Sequence, residues 1–491
     1  MNSMKKIFTV ALLALMLIIM CSCQKTPGEP SVVSKNNGRF DANLAASSTE
    51  EQNPDTMKNV RLSESFFSTD GSVNFRFNID QAITGTNLAV VEVIPHYLTE
   101  DDAIRVANVL FGEAVAYERD PILAPIYSQS EIQDCMVRWA PFAQMDNVRN
   151  LYGENDDFLV ERVKGVLEEF NMMYEEAPAE NPHDLCGWKF KKEAYYTYAQ
   201  AEAEEKVSDM DNDAIMARYT VNGVEYCYDV VTRNQSDYKL NMISAYFYAG
   251  SSPLSMDERI FTAQLCRTME PTEAQITNLQ NKAMDMLMEM NLGEWTIDEC
   301  YVETLIYGDT AEYVVCISAV PQLCGITAVR QPQLTNLKSE TSYASNYYMT
   351  EAHFQFSANG DLVSFTMTSP IEIKQVVNEN VKVMEIGDLL ELAKAHLTLS
   401  DLQEYGIGWM LQWIDEELLC NIEITQLNYG LLRVKVPNAD ESYYYVPGFT
   451  LSGSVEYIGR ESGDVYYTSD EPQILVAINA IDGSVVELYN E

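Results

Sequence analysis

Residues 215–223 read IMARYTVNG, and that stretch decides the kind of fold. Ile215, Ala217, Tyr219 and Val221 alternate with other residues at the period of two that puts every second side chain on one face of a strand. Asn222-Gly223 then supplies a dipeptide that tolerates the positive φ of a tight hairpin turn. The same grammar recurs along the chain. Asp70-Gly71 precedes Val73, Phe75, Phe77 and Ile79, and Asn359-Gly360 and Asp482-Gly483 also sit beside alternating apolar runs. Gly308-Asp309 and Asn428-Tyr429-Gly430 are expected to close two more hairpins. Antiparallel pairing is therefore predicted from about residue 60 to the end.

Helices interrupt the hairpins. Residues 99–111 place Ala103, Val106, Ala107, Leu110 and Phe111 on one side, with Thr99 as cap and Gly112 behind. Residues 131–140 carry Ile132, Cys135, Met136 and Trp139 after a Ser128/Glu131 capping box, and Pro141 stops them. Residues 156–173, 273–292 (box Thr272/Gln275, Gly293 behind) and 389–397 repeat the helical period. Helices among hairpins, with few strand–helix–strand units, indicate an α+β fold. Its antiparallel sheets should carry helices on one face, in two or three small domains. The expected division is 60–255 for an N-terminal α+β domain and 256–491 for a C-terminal region. The latter reads as two helix-then-hairpin units, 256–370 and 371–491.

The N-terminus sets the compartment. Lys5 and Lys6 precede Ile7 to Met20, an uncharged apolar run of fourteen residues, shorter than the roughly 20 a membrane span needs. Met20-Cys21-Ser22-Cys23 follows with a small residue before Cys23, so residues 1–22 are expected to be a lipoprotein signal peptide and Cys23 the lipidated residue. Residues 23–59 are polar and read as a lipidated, flexible tether. The expected place is the extracellular face of the cell membrane, reached through the lipid. Cleavage would remove two lysines and take the net charge from −42 to −44. Such acidity excludes nucleic acid as a partner, because a phosphate backbone requires a basic face. It favours a basic protein partner. Eight further cysteines (135, 186, 227, 266, 300, 316, 324 and 420) form no C-x-x-C pair and are expected to stay mostly reduced.

The lipobox followed by QKTP, together with VVEVIPHYLTEDDAIRVANVLFG (90–112) and AINAIDGSVVELYN (477–490), resembles an uncharacterised family of lipoproteins of gut-dwelling Gram-positive anaerobes. The resemblance implies a tethered extracellular region and carries no catalytic residue. The helix-then-hairpin units are also similar to PepSY-like modules of extracytoplasmic regulatory proteins.

Motifs for chemistry are sparse. His96, His183, His353 and His396 are far apart, and neither H-E-x-x-H nor G-x-S-x-G occurs. Ser236-x-x-Lys239 follows a strand instead of opening a helix. Asp209, Asp211 and Asp213 resemble the opening of a calcium loop, but Ala214 and Thr220 stand where an EF-hand needs Gly and Glu. Tyrosine runs at 195–198, 347–348 and 443–445 suit strand packing. No catalytic residue, cofactor or firm metal site is expected. The sequence points to a non-enzymatic surface protein that binds or regulates a protein. The alternatives are an extracytoplasmic hydrolase using carboxylates, marked by a cleft where acids converge, and a solute-binding lipoprotein with two doubly wound lobes.

Overall fold

The computed structural model describes residues 57–84, 89–119, 127–152, 157–192, 212–221, 224–235, 238–247, 270–307, 310–330, 350–400, 414, 416–435, 442–469 and 472–486. In chain order the first elements are β1 (Met57–Phe67), β2 (Val73–Thr84), β3 (Val90–Pro95), α1 (Glu100–Phe111) and β4 (Ala116–Glu118). A helical stretch follows, with α2 (Gln129–Trp139), a 3-10 turn (Ala140–Ala143), α3 (Met145–Tyr152) and α4 (Asp157–Glu176). Next come β5 (Lys191–Lys192), β6 (Asn212–Val221), β7 (Val224–Gln235), β8 (Tyr238–Phe247) and α5 (Glu273–Met290). Then β9 (Trp295–Tyr307), β10 (Thr310–Leu323), β11 (Ile326–Thr327), β12 (Glu351–Ser357), β13 (Leu362–Thr368) and β14 (Ile371–Asn378) precede α6 (Ile386–Thr398). The last strands are β15 (Leu418–Lys435), β16 (Tyr443–Gly459), β17 (Val465–Thr468) and β18 (Gln473–Asn479).

The strands form two sheets, and the fold is α+β. The first sheet runs β1-β2-β15-β16-β3-β14, with β17 and β18 also paired to β16. The second runs β11-β10-β12-β13-β8-β7-β6-β4, with β9 on β10 and β5 on β6. All pairings between strands are antiparallel among the described residues except β2 with β15, where Val73–Phe77 lie parallel to Cys420–Ile424. Each sheet buries one face under helices, as its alternation requires. Ala103, Val106 and Ala107 of α1 and Leu279, Ala283 and Leu287 of α5 pack on Tyr228, Ile243, Phe354 and Phe365 of the second sheet. Leu389, Ala393 and Leu397 of α6 pack with Phe75, Ile422, Phe449 and Ile478 of the first. The helices α2 and α4 enclose a separate core around Trp139, Val163 and Phe170.

Local signals place the helix starts well. Thr99, Ser128 and Thr272 each cap a helix, with Asp102, Glu131 and Gln275 reaching back to close the box. The turn glycines Gly71, Gly360 and Gly483 have positive φ, and strands pair across the first two. Behind the third, Val485 bridges back to Ile478. Asn222-Gly223 and Gly308-Asp309 lie outside the described residues, but Val221 faces Val224 and Tyr307 faces Thr310.

One expectation is corrected. No hairpin closes at Asn428-Tyr429-Gly430, because β15 runs unbroken through them and pairs with β16 along its length. Gly430 serves a close approach instead: a Cβ there would lie 2.4 Å from the Thr327 carbonyl oxygen. Ala328 bridges Leu431, and Val329 N–H donates to the Leu431 oxygen at 3.0 Å. The division at 255/256 does not follow the sheets. The first sheet unites 57–95 with 371–479, and β8 of the N-terminal half pairs with β13 of the C-terminal half. The two helix-then-hairpin units fall in different sheets, α5 before β9–β10 and α6 before β15–β16. Helix α3 was also missed, being short and interrupted by polar residues. Helix α5 ends on Asn291 in the left-handed region, two residues before the expected glycine.

Candidate functional site

Alternation gives the second sheet a polar face opposite its helices. Across six strands, cross-strand partners form one row: Glu299, Ser318, His353, Thr366, Ser244 and Asp229. At one end Arg330 gathers three acids, Glu299 at 2.7 Å, Asp298 at 3.2 Å and Glu351 at 3.8 Å. Burial pushes the Asp298 and Glu351 carboxyls above their ordinary range, against the pull of Arg330. At the other end Arg119 pairs with Asp229, which also accepts from the Tyr246 hydroxyl at 3.2 Å.

Within the row, Ser318 Oγ lies 2.9 Å from His353 Nδ1. Burial and the charge of Arg330 hold the imidazole below its ordinary value, so it is neutral near pH 7. A serine beside a neutral histidine resembles a nucleophile with its base. Ser318 is only 2% exposed, however, so its hydroxyl offers a substrate no approach. The acids that converge do so on a guanidinium. The buried thiols are equally inert, since burial raises Cys227, Cys316 and Cys420 to about 12. Seven of the eight cysteines beyond the lipobox are free thiols, and Cys266 lies outside the described residues.

A second cluster joins the sheets. His96 lies between β3 and α1, and its ring sits between two carboxylates. Nε2 is 3.0 Å from Asp102 Oδ2, and Nδ1 contacts Glu372 of the edge strand β14. Asp102 also accepts from the Thr99 amide at 2.9 Å, the Thr99 hydroxyl at 2.7 Å and Arg105. Burial lowers the His96 pKa, but the bonds to Glu372 and Asp102 outweigh it and raise the value above 6.5. A raised cation stabilises the fold below its unfolded pKa, and that contribution disappears as pH rises through the folded pKa. His96→Gln should therefore cost roughly 1 kcal/mol at pH 5, partly screened by solvent, and almost nothing at pH 9. Urea unfolding of wild type and variant at both pH values measures this, and an equal loss at pH 5 and pH 9 would refute it.

The remaining candidates stay apart. His183 lies in the loop after α4, where its amide donates to Asn181 Oδ1 at 3.0 Å, and His396 occupies the last turn of α6. Asp213 stands in β6 opposite Thr232, while Asp209 and Asp211 lie outside the described residues. Ser236 is also outside them, and Lys239 lies in strand β8. Tyr443, Tyr444 and Tyr445 are buried in β16; the outer two share one cluster and Tyr444 faces another. The runs at 195–198 and 347–348 lie outside the described residues.

On the helix side, α1 and α5 flank a shallow, open groove of about 410 Å³ lined by Asp101, Ile104, Arg105, Asn108, Val109 and Glu289. Sequence reading missed it because its lining comes from two helices distant in the chain. Among the described residues no helix is long and apolar enough to cross a membrane.

No family model and no curated protein matches the chain. Among solved structures it is similar to an uncharacterised protein from Eubacterium rectale ATCC 33656, at 11% identity and a TM-score of 0.37, covering 91% of this chain and 97% of that one.

Proposed function

We propose that this chain is a lipid-anchored extracytoplasmic protein that binds a protein partner at the cell surface without catalysing a reaction on it. One observation carries the reading: the groups that hydrolysis would need are already engaged with one another. Ser318 and His353 bond to each other in a buried row, and Asp298, Glu299 and Glu351 share Arg330. A hydrolytic acid or base must instead reach the substrate proton it transfers. Two doubly wound lobes, which a solute-binding lipoprotein would use, are a poor match to these largely antiparallel sheets.

The intact chain should show no turnover on peptide, ester or glycoside panels between pH 5 and pH 8. Turnover that disappears in Glu351→Gln or Ser318→Ala would replace this reading with the carboxylate or serine hydrolase.

A further inference from the structure

The groove between α1 and α5 combines three properties. Ile104 and Val109, both half-buried, give it an apolar strip. Its rims are acidic, with Asp101 on α1 and Glu289 on α5, both exposed and neither in an ion pair among the described residues. The one cation in the lining is already occupied: Arg105 Nε donates to the Met290 oxygen at 2.7 Å, and its terminal nitrogen pairs with Asp102. The groove thus faces solvent with uncompensated negative charge beside an aliphatic strip.

We propose that this groove docks a cationic amphipathic segment of a partner protein. An aliphatic side chain would lie on Ile104 and Val109, and a lysine or arginine would sit between Asp101 and Glu289. The assignment rests on the binding reading above and narrows it to one face. Charge decides the occupant. The chain has 74 acidic residues against 32 basic ones, so a second copy would bring acid against acid. A basic partner is attracted from a distance and then held by desolvated contacts on the apolar strip.

The test uses the full chain in detergent and a fluorescent amphipathic peptide with leucine and lysine at helical spacing. A second peptide replaces each lysine with glutamate. Anisotropy should show binding of the lysine peptide alone, weakening as salt rises. Asp101→Asn/Glu289→Lys should weaken it roughly tenfold, and Ile104→Ser severalfold with the salt slope unchanged. An equal charge change on α4, Glu168→Lys/Glu169→Gln, should leave it as it was. Equal thermal melts establish that the variants fold. If the α4 pair weakens binding as much as the groove pair, or the groove pair has no effect, the site is wrong while the binding reading stands. Failure of the lysine peptide to bind at low salt overturns the cationic partner. Sedimentation showing a dimer broken by the groove pair would make the occupant a second copy. Turnover in the panels above would instead remove the binding reading itself.

Discussion

Arg218→Met is expected to destabilise the junction between the helical unit and the second sheet by about 3–5 kcal/mol. Arg218 lies in β6, 2% exposed at its side chain, and bonds Glu225 at 3.3 Å and Glu131 of α2 at 3.2 Å. Its guanidinium also stands 5.3 Å from the Tyr127 ring centroid. Burial already pushes Glu225 above the usual carboxylate range with the arginine in place, the arginine opposing it. Removing the cation leaves two acids in a low dielectric without a counter-ion, and breaking such a pair costs more than forming it gains. Arg218→Met/Glu225→Leu should recover much of the loss, since an apolar replacement of both partners needs no ion. Urea titration followed by tryptophan fluorescence reads the effect, because Trp139 is buried in the helical core. A loss below about 1 kcal/mol would place the cluster among weak surface pairs.

Gly430→Val is expected to cost about 3 kcal/mol, at the upper end for overpacking, because the new carbon collides with backbone and no rotamer relieves it. The atom in the way is the Thr327 oxygen, 2.4 Å from the added Cβ, and Val329 Cγ1 is 2.9 Å away. This contact belongs to the seam between the sheets. Leu323 and Ala328 from the second sheet's margin pack there with Val91, Val93, Leu431, Tyr443 and Tyr445 of the first. Amide exchange in 326–329 should therefore accelerate in the variant more than exchange in β6 and β7. Uniform acceleration of both sheets would mean that the seam is not the element disturbed.

Short-range signals in the chain predicted whatever they control. The alternation of Val73, Phe75, Phe77 and Ile79 and the three capping boxes depend on neighbours a few residues away, and the structure has those strands and helix starts. Pairing partners hundreds of residues apart leave no such trace. Nothing local in Val73–Phe77 announces that Cys420–Ile424 lies beside it, so the sheets cross the expected domain boundary. Asn428-Tyr429-Gly430 misled for a related reason. A glycine after a turn-forming residue resembles a turn, and only the distant Thr327 explains why a side chain is excluded there. The candidate sites divide in the same way. Thr99 was marked as the cap of α1, whereas neither Asp102 nor Glu372, the two carboxylates at His96, was marked by its neighbours.

The lipid anchor is the claim on which the cellular role depends, and Cys23 is where it is tested. Cells producing the full chain would be fed an alkyne fatty acid, and the protein isolated and conjugated to a fluorophore. Wild type and Cys21→Ala should carry the label, while Cys23→Ala should carry none and leave the membrane fraction. A Cys23→Ala protein that remains labelled would contradict the account.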